Sequence, residues 1–405
     1  MPGGKLLGMS ASPLAELTPL EETRLERDWA KFTLLVFLFS FGFAVYGGVF
    51  QNYLRDHFQA NAFDLGKLES TREIPGLLAA LMAGTLVALA ESRIAAVGLA
   101  ITAVGIALSG FVGSLGLLIG ITVFWSIGFH LWATVQSAIT MALARGKEGG
   151  RHLGRMSGIG ATATIAGLGA ATLGGVLHLA YPIYFVVAGV AIFGAAILCA
   201  MLSAHAEGGK RQPIVFRKEY GLYYFLIFLE GCRRQIFSIF ASFALILVYH
   251  QPLEAMLVLQ LVNSVLITIT APWMGRMIDR VGEREPLTWY AVGLIVVFLG
   301  YAVTRNVYTL YALFLIDNIL FTFGVGFTTY LHRIVRPGDF TPSLAMGTTM
   351  NHIAAVTVPV GGAYLWMKFH NYQVPFWVGV GIAAISLITT RFLPSGVGSS
   401  ELATE

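Results

Sequence analysis

The chain has 405 residues, 56% of them hydrophobic and only 12% charged, and its mean hydropathy is +0.72. Soluble domains carry about 25% charged residues, so a water-soluble enzyme of this composition would expose more apolar surface than solubility allows; the class is integral membrane protein. The two cysteines, Cys199 and Cys232, lie in apolar stretches and exclude a disulfide framework or cysteine-based zinc site. No GxxxxGK(S/T), HExxH, GxSxG or CxxC motif occurs, so ATP hydrolysis, metalloprotease and serine-hydrolase chemistry find no support. The pI near 9.0 does not signal nucleic acid, because the basic residues sit between apolar segments rather than on one soluble face.

About 20 apolar residues cross a ~30 Å hydrocarbon layer. In chain order the sequence predicts twelve spans: 30–55, 65–89, 94–112, 115–143, 154–177, 181–203, 220–249, 254–277, 286–304, 307–331, 341–366 and 372–393. A polar N-terminal segment, 1–29, precedes them; its Thr18-Pro19-Leu20-Glu21 reads as a capping box that starts a short surface helix. The stretch 205–218 reads as a linker, dividing a six-helix bundle over 30–204 from a second over 219–394, with a tail at 395–405. With the N-terminus inside, the cytoplasmic segments hold 19 of the 26 lysines and arginines and the outside holds 4. This bias predicts cytoplasmic termini and linker, in the cytoplasmic (inner) membrane.

The halves resemble each other in order. Gly84 begins Gly-Thr-Leu-Val-Ala-Leu-Ala-Glu91-Ser-Arg93, and Gly275 begins Gly-Arg-Met-Ile-Asp279-Arg280-Val-Gly282-Glu-Arg284. Gly174-Gly175 and Gly361-Gly362 end the fifth and eleventh spans, each before a turn and an aromatic-led span. These landmarks indicate a parallel duplication. The run from Gly275 to Arg284 resembles the signature loop of the major facilitator superfamily. That resemblance implies an all-α membrane fold of twelve transmembrane helices in two six-helix halves. It also implies gating residues Gly275, Asp279, Arg280, Gly282 and Arg284, with Asp279 and Arg280 helping to latch helix ends. The first half departs from the pattern, with Ala88 at the signature aspartate. Gly169-Ala170-Ala-Thr-Leu-Gly174-Gly175 resembles an antiporter motif with alanine in place of proline, which implies export.

Charge inside a membrane is costly, so each instance needs a reason. Spans 3, 6, 9 and 12 carry none away from their ends, as expected of lipid-facing helices in that architecture. Span 7 places Arg233 and Arg234 three and four residues after Glu230, on one helical side. This reads as a substrate or proton site, or as a buried pair that positions the helix. Span 2 offers Glu69, Arg72 and Glu73 before Pro75, either a vestibule cluster or part of the site. Glu230, Asp317 and Glu73 are the proton-coupling candidates, in that order. Arg233, Arg234, Arg72, Glu69, His130, Gln136, Asn263, Asn351 and His352 are the substrate-binding candidates, against helix–helix hydrogen bonding as the alternative. Trp289, Tyr290, Tyr308, Tyr311, Trp366 and Tyr372 read as interfacial anchors.

The sequence thus predicts a secondary active transporter, not an enzyme, moving a small organic solute by alternating access, with proton coupling and export. A uniporter, a lipid flippase and a non-transporting scaffold or sensor are the alternatives. Its expected partners are a small-molecule substrate, protons and the lipid bilayer, with no nucleic acid; it is expected to be a monomer without cofactor or metal.

Overall fold

A computed structural model describes residues 18–82, 91–144, 149–203, 216–336 and 338–394. Among these the chain forms twelve helical segments and no strand. They are α1 (Pro19–Phe58), α2 (Ala62–Met82), α3 (Glu91–Ser109), α4 (Leu115–Ala144), α5 (Gly149–Val176) and α6 (Tyr181–Ala200) in the first half. In the second half, α7 covers 221–247, followed by α8 (Leu253–Val281), α9 (Arg284–Val303), α10 (Val307–Ile334), α11 (Phe340–Phe369) and α12 (Val374–Thr390). α7 is three consecutive pieces: α-helical Gly221–Gln235, π-helical Ile236–Ala241 and α-helical Ser242–Leu247. A 3-10 turn at Thr322–Gly324 interrupts α10.

Eight of these segments are long and apolar enough to cross a membrane on those criteria alone. The others are α2, α7, α11 and the 17-residue α12. The first three carry most of the intramembrane charged and polar groups, which lowers their apolarity. The helices α3, α6, α9 and α12, charge-free away from their ends, present stripes of exposed apolar side chains at helical spacing. Val190, Phe193 and Ile197 form one on α6, and Val292, Val296, Leu299 and Val303 form another on α9. A lipid phase, not water, is the solvent that tolerates such stripes. Within the first half, α3 and α4 approach backbone to backbone: a Cβ on Gly98 would stand 2.7 Å from the Gly128 carbonyl oxygen.

The structure revises several sequence expectations. The capping box forms, with the Glu21 N–H on Thr18 Oγ1 at 3.4 Å and the Thr18 N–H on Glu21 Oε2 at 2.9 Å. It opens no separate surface helix, because nothing between Pro19 and Phe58 breaks the helical ladder. α11 continues two turns past Gly361-Gly362, to Phe369, with Pro359 inside the helix. The signature run is mostly helical: Gly275, Asp279 and Arg280 occupy the last turns of α8, and the turn itself is Gly282, at φ 81°, with Glu283. Ala88 and most of 205–218, like 395–405, lie outside the described residues. A buried acid unremarked in the sequence, Asp28, pins the end of α6: it accepts from the Ser203 backbone N–H at 3.1 Å and pairs with Lys31 at 3.2 Å.

The two halves are joined toward the end that carries the α1–α2 and α7–α8 turns. There Arg55 donates to the carbonyls of Ile246 (3.1 Å) and Gln251 (2.9 Å), and Asn52 donates to Gln251 at 3.3 Å. Gln260 donates to the Gly48 carbonyl, and the Val360 N–H to Ser70 Oγ. At the opposite end the halves part: Gly154 and Gly158 on α5 and Gly275 on α8 have open space where a Cβ would stand.

Candidate functional site

Between the halves lies a cavity of about 620 Å³, lined by α1, α2, α4, α7, α10 and α11. Phe43, Tyr46, Phe50, Trp125 and Phe129 supply an aromatic wall from the first half. Glu69, Arg72, Glu73, His130, Arg234, Asn351 and His352 supply the polar groups. These seven are sequence-predicted residues, and the fold brings them together from both halves. The Arg72 guanidinium binds Glu69 Oε2 and Glu73 Oε1, each at 2.8 Å. Ser126 Oγ donates to the Arg72 carbonyl at 2.5 Å, tying α4 to α2.

Three ligand-type groups meet beside that pair. Glu73 Oε2 lies 3.2 Å from His352 Nδ1 and 3.9 Å from His130 Nε2. His130 Nδ1 faces the Ser126 carbonyl at 2.9 Å and Ser126 Oγ at 3.1 Å. Because that hydroxyl proton is committed to Arg72, both groups facing Nδ1 are acceptors, which puts the ring proton on Nδ1. The Nε2 lone pair therefore points at a carboxylate oxygen. Gly76, three residues after Glu73, makes the room: a Cβ there would collide with His130 Nε2 and stand 2.5 Å from His352 Cε1.

The span 7 triplet divides. Arg234 is exposed into the cavity, with Phe321 beneath its guanidinium at 5.4 Å. Among the described residues no carboxylate lies within 4.0 Å of it and it makes no hydrogen bond, although Glu230 and Glu73 act on it from farther off. Arg233 turns the other way, into the second half, and is 2% exposed. It reaches Glu230 through Nη2 at 2.7 Å, Asp317 through Nη1 at 2.9 Å and the Tyr290 hydroxyl through Nε at 2.8 Å. Tyr290 also donates to Glu230, so it is a member of this buried network and not an interfacial anchor. The network holds two carboxylates against one guanidinium, and Asp317 Oδ1 has no partner. Neither Glu230 nor Asp317 lines the central cavity.

The other candidates lie apart. Asn263 lines a second cavity, of about 310 Å³, between α1, α5, α7, α8 and α10, with its Oδ1 unpaired. Gln136 is half-buried and lines neither cavity. Asp279 and Arg280 are exposed at the parted end, and neither forms an ion pair among the described residues. One ion pair at that end joins Glu283 to Arg333 at 2.8 Å, and another Arg217 to Asp339 at 3.2 Å.

The comparisons with known proteins agree with this architecture. The family model described as Major Facilitator Superfamily matches residues 32–334. The chain belongs to that superfamily. Its members are membrane transporters, not enzymes, and the twelve helices in two halves are their fold. The solved structure of a point mutant of the nucleoside transporter NupG is similar at a TM-score of 0.75 and 12% identity, over 90% of this chain and 99% of that one. A bacterial homologue of the iron transporter ferroportin, inward-facing, gives 0.71 at 13% identity over 91% and 98% of the two chains. A D-xylose–proton symporter gives 0.68 at 14% over 96% and 100%. No curated protein matches the sequence.

Proposed function

We propose that this superfamily member is a secondary active transporter that carries a small polar or anionic organic solute through the central cavity, coupled to protons. The observation that carries the reading is Arg234, a guanidinium exposed in a cavity between two halves with no carboxylate in direct contact and no hydrogen bond among the described residues. Such a group recognises a carboxylate or phosphate-like oxygen pair. The aromatic wall opposite holds an apolar body, and the volume suits a small solute.

Coupling is assigned to the buried network on α7, α9 and α10. With two carboxylates on one guanidinium, it carries a surplus negative charge, which a proton would neutralise. α7 links it to the solute: Glu230 and Arg233 serve the network, Arg234 serves the cavity, and the π-helical segment begins two residues later. π segments inside α-helices are frequent at functional sites. Solute bound to Arg234 would shift α7 at that point and alter the pairing of Glu230. With the orientation given by the lysines and arginines, the cavity opens to the cytoplasm. The cavity is complete within one chain, which suits a monomer in the inner membrane.

The position of Glu230 and Asp317 outside the cavity lining favours a second reading, a uniporter in which these carboxylates only hold helices. Proteoliposomes decide between them. Solutes are first ranked by thermal shift from a panel of carboxylates, nucleosides and pentoses. Accumulation of the best one only under an imposed pH gradient supports coupling, and equal rates with and without the gradient establish the uniporter. Inverting the gradient tests the export direction implied by the Gly169–Gly175 resemblance.

A further inference from the structure

We infer that Glu73, His130 and His352 form a binding site for a first-row divalent transition metal ion, which ties the two halves together in the present conformation. Glu73 on α2 and His130 on α4 belong to the first half and His352 on α11 to the second. Their ligand atoms lie within 4.8 Å of one another. An ion with tetrahedral bonds of 2.0–2.1 Å holds its ligand atoms about 3.3 Å apart. The Glu73–His352 edge is already 3.2 Å and the Glu73–His130 edge 3.9 Å, and the third edge is within 4.8 Å, so side-chain rotations that bring the two imidazoles up to about 1.5 Å closer complete the set.

Three independent features make this a built site. The Nδ1 of His130 is fixed by Ser126, the outer hydrogen bond that metal-bound histidines make, and its Nε2 lone pair is aimed at Glu73 Oε2. With the ring proton on Nδ1, Nε2 and Glu73 Oε2 are two acceptors 3.9 Å apart, a pair that a cation between them would join. Gly76 lets both imidazoles approach α2 where a Cβ would collide with them. The local charge also suits a cation: Glu69 and Glu73 together outweigh Arg72, which is engaged by both. Arg234, from the other half, is the opposing charge in the cavity; it balances an anion on the positions that three protein ligands leave open. Two imidazoles and a carboxylate select Zn²⁺, Fe²⁺ or a neighbouring ion over Mg²⁺ or Ca²⁺.

The test uses the full chain, purified without a histidine tag, and Zn²⁺ as the probe. Calorimetric titration should find one Zn²⁺ per chain, with affinity at least tenfold weaker in His130→Gln and in His352→Gln. Zn²⁺ should raise the thermal midpoint of the unsubstituted protein and not of the variants. A Ser242→Cys probe in the cleft between the halves should react more slowly with maleimide when Zn²⁺ is present, and His352→Gln should abolish that protection. Absence of binding, or affinity unchanged in both variants, overturns the site; binding without protection overturns the tie between halves. No solute or proton gradient enters the experiment, so its failure leaves the transport reading standing.

Discussion

Arg233 and Arg234 are adjacent, identical and opposite in circumstance. Removing Arg233 leaves Glu230 and Asp317 buried without their shared cation, so Arg233→Ala should lose about 3–5 kcal/mol of stability, visible as a large fall in the detergent melting temperature. Arg234 makes no hydrogen bond or direct ion pair among the described residues and stacks on Phe321, so Arg234→Ala should cost at most about 1 kcal/mol, the worth of an exposed cation–π contact. It should nevertheless weaken solute binding at least tenfold by calorimetry; unchanged binding would remove Arg234 from the site. Glu230→Gln keeps the hydrogen bonds to Arg233 but removes the titrating group. Gradient-driven accumulation should vanish while solute exchange persists, and if accumulation survives, coupling passes to Asp317. The sequence made the three span 7 residues visible because charge in an apolar run is conspicuous. It did not reveal which way each arginine turns, which depends on where α9 and α10 place Tyr290 and Asp317. Tyr290 itself carried no signal, since a tyrosine near a helix end looks like an anchor.

At the scale of the element, spans were legible because apolar runs separated by short basic connections leave few alternative readings. Their internal irregularities were not: the π-helical segment Ile236–Ala241 has no Gly or Pro to announce it. The signature run illustrates the same limit. Its glycines and charges looked like a loop, yet α8 carries Asp279 and Arg280 to its last turns because only Gly282 adopts a left-handed φ that stops the helix. Both charged side chains are exposed in this conformation, and the latch that the resemblance implies would form in the alternative one. Asp279→Asn should therefore leave the melting temperature within about 1 kcal/mol of unchanged stability. It should still raise the labelling of a Gly154→Cys probe at the parted end. Identical labelling and identical transport would dissociate Asp279 from gating.

The whole molecule is lopsided in its joints: the halves touch near the α1–α2 turn and part at the far end. Sequence patterning reveals neither the closed end nor the open one, because the joint rests on backbone carbonyls and a close glycine contact, which leave no mark on hydropathy. The closed joint turns on Gly66, where a Cβ would lie 2.5 Å from both the Ala363 Cβ and the Pro359 carbonyl oxygen. Neither neighbour can yield, since one is backbone and the other a methyl fixed to it. Gly66→Val should therefore force α2 and α11 apart without touching the packing inside either half. A penalty of about 1–2 kcal/mol on this arrangement alone shifts the populations by roughly 5- to 30-fold. Maleimide labelling of a Ser242→Cys probe should accordingly rise several-fold, while that of a Gly154→Cys probe at the opposite end falls. The reciprocal change separates a shifted equilibrium from simple loosening, in which both probes would gain reactivity. If both rates stay as they were, the α2–α11 approach is not what holds this end shut, and the bonds from Asn52 and Arg55 to the end of α7 become the gate.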